Sequence, residues 1–247
     1  MLLKDKVAII TGATRGIGKE ILYRLAEEGA KVIGLYANND TEAQKIKKDF
    51  AERGFSVDFY KGSVVERPEI NFVFNDINEK YGNIDILINN AGITRDNFIT
   101  QMTEEDWEKV IETNFLGTYI CCTEVIPYMQ AQKYGKVINM VSVTGVIGRE
   151  AQVNYGTSKG AMIGLTRLLS RRYAQEGIYF NAIAPGLIKT EMIDSVPENK
   201  VENFLRYTNL KRVGTTKEVA NAAVYLASDL SDYVSDVVLK VDGGFCR

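Results

Sequence analysis

The sequence predicts an α/β protein with a doubly wound, seven-stranded parallel sheet and helices on both faces. Short β-rich apolar runs alternate with longer helical patterns along the chain, which is the order that strand–helix–strand units require. Several of these runs are apolar throughout, as expected for strands covered on both faces. The 247 residues contain no linker, low-complexity tract or internal repeat, so we predict one domain over residues 1–247.

Seven short apolar segments are the predicted strands. They are KVAIIT (6–11), KVIGLYA (31–37), SVDFYKG (56–62), IDILINNA (84–91), KVINMVS (136–142), IYFNAIA (178–184) and VVLKVDGG (237–244). The helical pattern over 18–29 ends at Gly29, a typical C-cap residue. A longer helical pattern over 103–132 begins with Thr103 three residues before Asp106, which resembles a capping box.

Composition excludes several classes of function. The net charge is −2 and the pI about 5.5, so we expect no nucleic-acid or membrane partner. No apolar run reaches the length of a membrane span, and the N-terminus does not resemble a signal peptide. Three cysteines without a framework (Cys121, Cys122 and Cys246) favour a reducing, cytoplasmic location. The chain has no histidine, which excludes a Ser–His–carboxylate triad and His-ligated metal sites, and we predict no metal.

A glycine-rich turn, TGATRGIG (11–18), joins the first predicted strand to the first helix. Gly12, Gly16 and Gly18 allow a sharp turn and a close approach of the backbone to a ligand. The helix N-terminus behind the turn suits a phosphate group. In this strand–turn–helix context the motif predicts a Rossmann-type dinucleotide site. A tight turn without a ligand is the alternative.

The tip of the second strand indicates which dinucleotide binds. NAD enzymes of this fold place an acid there to bond the ribose 2′-hydroxyl. Here the tip carries Tyr36, Ala37 and Asn38, and the first acid, Asp40, lies beyond it. Arg15 in the glycine turn is placed to pair with a 2′-phosphate. We therefore predict NADPH, the alternative for Arg15 being a solvated turn cation.

Polar motifs follow three further strands, and the carboxyl ends of parallel strands meet at one edge of the sheet. They are INNAG (88–92), NMVSVTG (139–145) and NAIAPGLIKT (181–190). After the second of them comes YGTSK (155–159). In a helix, Tyr155 and Lys159 would share one face, about 6 Å apart along the axis. Such a pair is either structural or an acid with its cationic partner.

Taken together, these motifs resemble those of the classical short-chain dehydrogenase/reductase family over essentially the whole chain. The glycine turn, NNAG, the serine, YGTSK and PG occur in the order and spacing of that family. Within it, NNAGITRDN (89–97) and VDGG (241–244) are most similar to segments of bacterial 3-oxoacyl-[acyl-carrier-protein] reductases. The resemblance implies NADPH-dependent reduction of a 3-oxoacyl thioester to the 3-hydroxyacyl thioester, a step of fatty acid synthesis.

The resemblance also implies residue roles. Tyr155 would be the catalytic acid, and Lys159 would bond the nicotinamide ribose and help to lower the pKa of the phenol. Ser142 would hydrogen-bond the substrate carbonyl oxygen, and Asn114 would hold the water of a proton relay that ends at Lys159. Tyr155 and Lys159 would both also bind the cofactor, and the other cofactor-binding residues would be Gly12, Thr14, Arg15, Gly16, Ile17, Gly18, Ser63, Val64, Asn90, Ala91, Gly92, Pro185, Gly186, Ile188 and Thr190.

Two segments depart from the family pattern. Ser63 stands where relatives often carry an aspartate that meets the adenine, although Val64 could still pack on the ring. Arg149 and Glu150 stand where the carrier-protein reductases usually have small or neutral residues. The second departure either alters the substrate entrance or marks a solvated loop.

Three further expectations concern assembly and substrate. Glycines 156, 160 and 164 form a smooth helical strip that either joins copies, in a homotetramer, or packs on the chain's own sheet. Residues 188–214 are predicted to form a lid over the substrate. Lys133, Arg171 and Arg172 fall where the carrier-protein reductases place a docking surface for acyl carrier protein, or form an ordinary solvated face.

Two other functions remain open. The same mechanism could serve a sugar, steroid or small ketone, with the lid and residues 143–154 determining the substrate. A non-catalytic NADPH-binding sensor is a further alternative.

Overall fold

Seven parallel strands form the central sheet of the computed structural model, which describes residues 1–191 and 197–246. The strands are β1 (Val7–Thr11), β2 (Lys31–Tyr36), β3 (Val57–Lys61), β4 (Ile86–Asn89), β5 (Gly135–Met140), β6 (Ile178–Pro185) and, last in the chain, β9 (Val238–Val241). Their order is β3-β2-β1-β4-β5-β6-β9, all parallel. All seven predicted strands are confirmed, with ends that shift by at most three residues. A separate pair is formed by β7 (Ile188–Lys189) and β8 (Gly214–Thr215).

Helices cover both faces of this sheet. They are α1 (Gly16–Glu27), α2 (Asp40–Glu52), α3 (Arg67–Tyr81), α4 (Glu104–Ile111), α5 (Gly117–Gln132), α6 (Val143–Ile147), α7 (Val153–Tyr173), α8 (Glu198–Arg206) and α9 (Thr216–Ala227). The predicted cap at Thr103 is confirmed, since its hydroxyl accepts the Asp106 amide at 3.1 Å. In the described part of the chain, no helix combines the length and the apolarity needed to cross a membrane.

The sheet has a core on each side, which explains why its strands are apolar throughout. Ala8 and Ile10 of β1 belong to one buried cluster, with residues of α1, α2 and α9. Val7 and Ile9 of the same strand belong to the opposite cluster, with residues of α3 and α5. Because neighbouring side chains of a strand point to opposite faces, both sets must be apolar.

The strand order reverses between β1 and β4, and this places the candidate site. Connections from β1 run outward to β2 and β3, whereas β4, β5 and β6 follow on the other side. A crevice opens at the carboxyl ends of the strands where the order reverses. The loops that follow β1, β4, β5 and β6 therefore meet at this edge.

Candidate active site

The loop after β4 is fastened to the end of β1 by hydrogen bonds. The buried Thr11 hydroxyl accepts the amides of Asn90 and Ala91 at 3.0 and 2.9 Å. The Asn90 side-chain amide donates in return to the carbonyl oxygens of Thr11 and Gly12, at 3.0 and 3.1 Å. The glycine turn and the NNAG segment therefore form one unit, as the shared sheet edge predicts.

Glycine is required in this unit for both conformation and space. Gly12 has φ +64°, and a Cβ there would lie 2.9 Å from the Cα of Ala91. A Cβ on Gly18 would lie 2.3 Å from the Gly12 carbonyl oxygen. Around Gly16, with φ +52°, the nearest atom to such a Cβ is Thr190 Cγ2 at 3.6 Å. The backbone is thus accessible at Gly16, and Thr190 lies opposite it.

The N-terminus of α1 fits a phosphate group. Arg15, its N-cap residue, makes no capping side-chain hydrogen bond, and the first turn contains no acid. The amides of this turn and the helix dipole favour an anion. In the same turn Thr14 is buried, and Ile17 packs against the apolar cluster under α1.

The acid beyond the tip of β2 is already engaged by the protein. Asp40 accepts hydrogen bonds from Tyr36 at 2.8 Å and from the Lys61 ammonium at 2.7 Å. The Lys61 hydrogen bond is the largest cause that holds the Asp40 pKa below its usual range. This carboxylate has two partners and is not free to bind a ribose.

The two residues after β3 that are expected to meet the adenine, Ser63 and Val64, are less accessible to a cofactor than the sequence predicts. The Ser63 amide donates to the Glu69 carboxylate at 2.8 Å. Val64 is 9% exposed, and a Cβ on Gly117 would lie 2.5 Å from Val64 Cγ2. Val64 therefore packs into the interior against Gly117, which leaves little of its side chain for an adenine ring.

Three of the four predicted catalytic residues lie around the end of β5. Lys159 is buried, and its ammonium donates to the carbonyl oxygen of Met140 at 2.7 Å. The same ammonium lies 5.6 Å from the centre of the Tyr155 ring, so the two side chains share a face of α7. Ser142 caps α6 by accepting the Thr144 amide at 3.1 Å, and it lies close enough to Tyr155 to act on the pKa of the phenol.

The predicted lowering of the phenol pKa is wrong for this structure. Burial raises the pKa of Tyr155 to about 12, the nearby Ser142 hydroxyl acts in the opposite direction, and the negative charge of Asp96 raises it further. Burial also lowers the pKa of Lys159 to about 8, because the ammonium is taken out of water. The phenol therefore stays protonated at neutral pH, which is the form that donates a proton.

Asn114, the fourth predicted catalytic residue, lies in a π-helical turn, Glu112–Leu116, between α4 and α5. Such turns are frequent at functional sites. Its side chain accepts the Ile93 amide at 2.8 Å and donates to Ser158 Oγ at 3.1 Å. A Cβ on Gly92 would lie 3.1 Å from Asn114 Oδ1 and 3.5 Å from Lys159 Nζ. Asn114, Gly92 and Lys159 are therefore neighbours, as predicted, and the water role of Asn114 stays a prediction.

The loop after β6 closes the far end of the crevice. The Gly186 amide donates to Val241 at 3.0 Å, and a Cβ there would lie 2.8 Å from the Cα of Asp242. Pro185 ends β6, and Ile188 is buried in β7. Thr190 is the residue of this loop that faces the glycine turn. The predicted lid begins here, and its residues 192–196 lie outside the described part of the chain.

Sequence reasoning missed several residues that hold the site together. Thr11 accepts two amides, as described above. Asp96, which raises the phenol pKa, accepts the Gln152 side-chain amide at 2.7 Å. Gln152 Oε1 in turn accepts the Thr144 hydroxyl at 3.2 Å. These residues connect loops that are distant in the chain, and no spacing pattern indicates such contacts.

The arrangement supports acid catalysis at a carbonyl. A hydroxyl and a protonated phenol, Ser142 and Tyr155, can donate to an oxygen on which negative charge develops. The glycine turn, the uncapped α1 terminus, Gly92 and Thr190 fit a nicotinamide dinucleotide laid along the crevice. This cofactor would supply the hydride, and the residues would orient it.

Comparison with known proteins agrees with this chemistry. The sequence profile of the short chain dehydrogenase family matches residues 6–201. The 3-oxoacyl-[acyl-carrier-protein] reductase FabG of Thermotoga maritima is 41% identical over 244 residues, 99% of each chain. The enzymes of the same name from Escherichia coli K12 and Staphylococcus epidermidis are 37% and 36% identical, over 99% and 97% of this chain and 98% of their own.

A solved structure shares the whole fold. It is a putative gluconate dehydrogenase from Agrobacterium tumefaciens, 31% identical, with a TM-score of 0.94 over 98% of this chain and 96% of its own. The gluconate dehydrogenase and the reductases are named for different substrates. These relatives therefore share one fold and one class of chemistry with the chain, while their named substrates differ.

Proposed function

The chain belongs to the short chain dehydrogenase family, and we propose that it reduces 3-oxoacyl thioesters of acyl carrier protein to 3-hydroxyacyl thioesters with NADPH. The observation that carries this proposal is the similarity, at 36–41% identity over 97–99% of the chain, to reductases of that name. The segments NNAGITRDN and VDGG support the same assignment.

The chain's own residues would act on the ketone as follows. Ser142 donates to the substrate carbonyl oxygen and places it beside the phenol. Tyr155 donates its proton to that oxygen as negative charge develops on it; the hydride that reaches the carbon would come from the bound cofactor. The nearby Lys159 ammonium stabilises the phenolate that remains. Asn114 joins this group to the loop after β4.

NADPH is favoured over NADH by two features of the adenosine end. The exposed Arg15 guanidinium makes no ion pair or hydrogen bond in the described chain, and it stands beside the uncapped α1 terminus. Asp40 is held by Tyr36 and Lys61. A free cation and an occupied acid favour a ribose that carries a 2′-phosphate.

The test is an absorbance assay at 340 nm with acetoacetyl-CoA, using NADPH and NADH in parallel. We expect oxidation of NADPH, and much slower oxidation of NADH. The control substrates are 5-ketogluconate and a small ketone without a thioester. Turnover of either control by a protein that leaves acetoacetyl-CoA unreduced would contradict the proposal and favour the sugar or small-ketone alternative.

We also propose that the protein is a cytoplasmic homotetramer. Gly156 and Gly160 of the predicted strip lie beside α6 of the same chain, whereas Gly164 has no neighbour within 4 Å of a Cβ position. A groove of about 540 Å³ begins there, beside the exposed apolar side chain of Val146. A second copy of the chain would cover this surface. Analytical sedimentation would measure the number of copies in the assembly, and we expect four.

The proposed carrier-docking surface consists of Lys133, Arg171 and Arg172. Lys133 is exposed without an ion pair in the described residues, Arg172 pairs with Glu176 at 2.7 Å, and Arg171 lies 4.0 Å from Asp236. Along α7 this surface lies about 24 Å from the Tyr155 of the same chain. A carrier bound there would be remote from that site, which favours delivery to another copy.

A further inference from the structure

The arginines of this chain divide into paired and unpaired residues. In the described residues eight arginines lie within 4.0 Å of a carboxylate. Three have no such partner: Arg15, Arg149 and Arg206. Arg15 stands at the cofactor end of the crevice. Arg149 belongs to the segment that departs from the family pattern, and nothing in the proposed reaction yet uses it.

Arg149 is held on the edge of the crevice. It lies between α6, which Ser142 caps, and α7, which carries Tyr155 in its first turn. The Arg149 carbonyl oxygen accepts the Gln152 amide at 3.2 Å, and the Ala151 carbonyl oxygen accepts the Asn97 amide at 2.9 Å. The loop backbone is therefore fixed on both sides, while the Arg149 side chain is exposed.

The guanidinium faces an aromatic surface on α8. Its central carbon lies 6.0 Å from the centre of the Phe204 ring, and Phe204 is stacked on Phe245 at 4.2 Å. The segment that carries Phe245 is held to the residues after α8, because the amides of Leu210 and Cys246 donate to the carbonyl oxygens of Gly243 and Tyr207, both at 3.0 Å. The contact joins the 148–152 loop to α8 and leaves every guanidinium N–H of Arg149 without a partner in the described chain.

We propose that Arg149 is a specificity-determining residue that binds the phosphate on the pantetheine arm of the thioester substrate. This inference rests on the proposed function. Residues 148–152 connect the helix that Ser142 caps to the helix that carries Tyr155, so we place the arm past this loop when the carbonyl lies beside the two residues. A guanidinium matches two phosphate oxygens with parallel hydrogen bonds. The Phe204 ring lies within cation–π range of the Arg149 guanidinium, whose N–H donors remain available to a phosphate.

The test compares two substrates that differ only in the phosphate: acetoacetyl-pantetheine 4′-phosphate and acetoacetyl-pantetheine. In Arg149→Gln we expect kcat/KM for the phosphorylated substrate to fall about 10-fold. KM should rise while kcat stays, because a contact remote from the reacting carbon acts on the bound substrate and the transition state alike. With the unphosphorylated substrate the variant should match the wild type.

Glu150→Gln is the matched control, because it changes the neighbouring exposed side chain and also removes one charge. It should keep the wild-type preference for the phosphorylated substrate, or strengthen it slightly by removing a nearby anion. Arg149→Lys should keep part of the preference, since the charge remains and the planar fork is lost.

Two results would overturn the inference while the proposed function survives. One is an equal loss on both substrates in Arg149→Gln, which would make Arg149 a structural residue of the loop. The other is no loss on either. A wild-type protein that reduces neither thioester would instead contradict the proposed function itself, and the inference would fall with it.

Discussion

The crevice has a floor and a rim that are built differently. The floor is the set Asn114, Ser142, Tyr155 and Lys159, and the rim is the 148–152 loop together with α8. In the floor, Asn114 is 0% and Lys159 3% exposed, and both are hydrogen-bonded to neighbouring backbone. In the rim, α8 buries none of its residues.

This difference separates chemistry from substrate choice. A buried polar group must find a hydrogen-bond partner, so each floor residue is constrained by packing as well as by its reaction. An exposed rim residue carries no such constraint and can change with little effect on folding. A family can therefore keep one reaction and vary its substrates, which agrees with relatives that carry different substrate names.

The sharpest test of the floor is Tyr155→Phe, which removes one oxygen atom. If the phenol is the acid, kcat should fall about 10²- to 10⁴-fold. NADPH affinity, measured by fluorescence titration, should change little, because the ring remains. The measurement is the rate of NADPH oxidation with acetoacetyl-CoA.

Tyr179→Phe is its control, since that tyrosine lies on β6 away from the crevice and should keep full activity. Retention of more than about a tenth of the wild-type kcat in Tyr155→Phe would mean that another group protonates the oxygen.

The second test concerns the support of the floor. Thr11→Val keeps the shape of the side chain and removes the acceptor of the Asn90 and Ala91 amides. Two partly buried N–H groups would lose their partner, so the free energy of unfolding should fall by about 1–3 kcal/mol. Urea denaturation measures it, with Thr100→Val at an exposed turn position as the control. A loss below about 0.5 kcal/mol would show that the two loops are held together by other contacts.

The sequence predicted the sheet and the floor well, for a physical reason. Continuous apolar runs and a glycine turn of fixed spacing are local signals, and parallel strand order brings their ends to one edge. Ser142, Tyr155 and Lys159 thus come together as predicted.

What the sequence could not predict depends on burial and on contacts between distant loops. The rise in the Tyr155 pKa comes mainly from desolvation, which no spacing reveals. The bonds from Gln152 to Asp96 and Thr144 join three loops. Val64 turns inward because Gly117, far along the chain, leaves room for it.

A third test uses pH to measure how much free energy of unfolding is lost by burying the Lys159 ammonium. The Lys159 pKa is about 10.5 in the unfolded chain and about 8 in the fold. Between these values the unfolded chain binds more protons, so the wild-type free energy of unfolding rises with pH through this window. Lys159→Met lacks this rise. From pH 7 to 9.5 the wild type should gain about 2 kcal/mol relative to the variant.

Urea denaturation of both proteins at the two pH values gives this difference, and other titrating groups cancel because the proteins share them. A difference that stays constant with pH would show that Lys159 is as well solvated in the fold as in the unfolded chain.

The smallest expected effect is a change in stability, and it compares the same substitution in two helices. One helix, α3, packs on the sheet, and the other, α8, belongs to the rim. Glu79 of α3 and Glu202 of α8 are both exposed and make no ion pair in the described chain. Replacing glutamate by glycine inside a helix costs about 0.6 kcal/mol. Because α3 buries Ile70, Val73, Phe74 and Ile77, Glu79→Gly should lower the global free energy of unfolding by that amount.

In α8, which buries nothing, the same substitution should act locally. Glu202→Gly should leave the global free energy of unfolding unchanged within about 0.2 kcal/mol, and should speed amide hydrogen exchange in α8 alone. If both variants lost the same global stability, α8 would unfold together with the sheet, and the rim would be as firmly fixed as the floor. Substrate choice would then depend on a rigid surface that selects by shape, and Arg149 would lie on a preformed edge of the crevice.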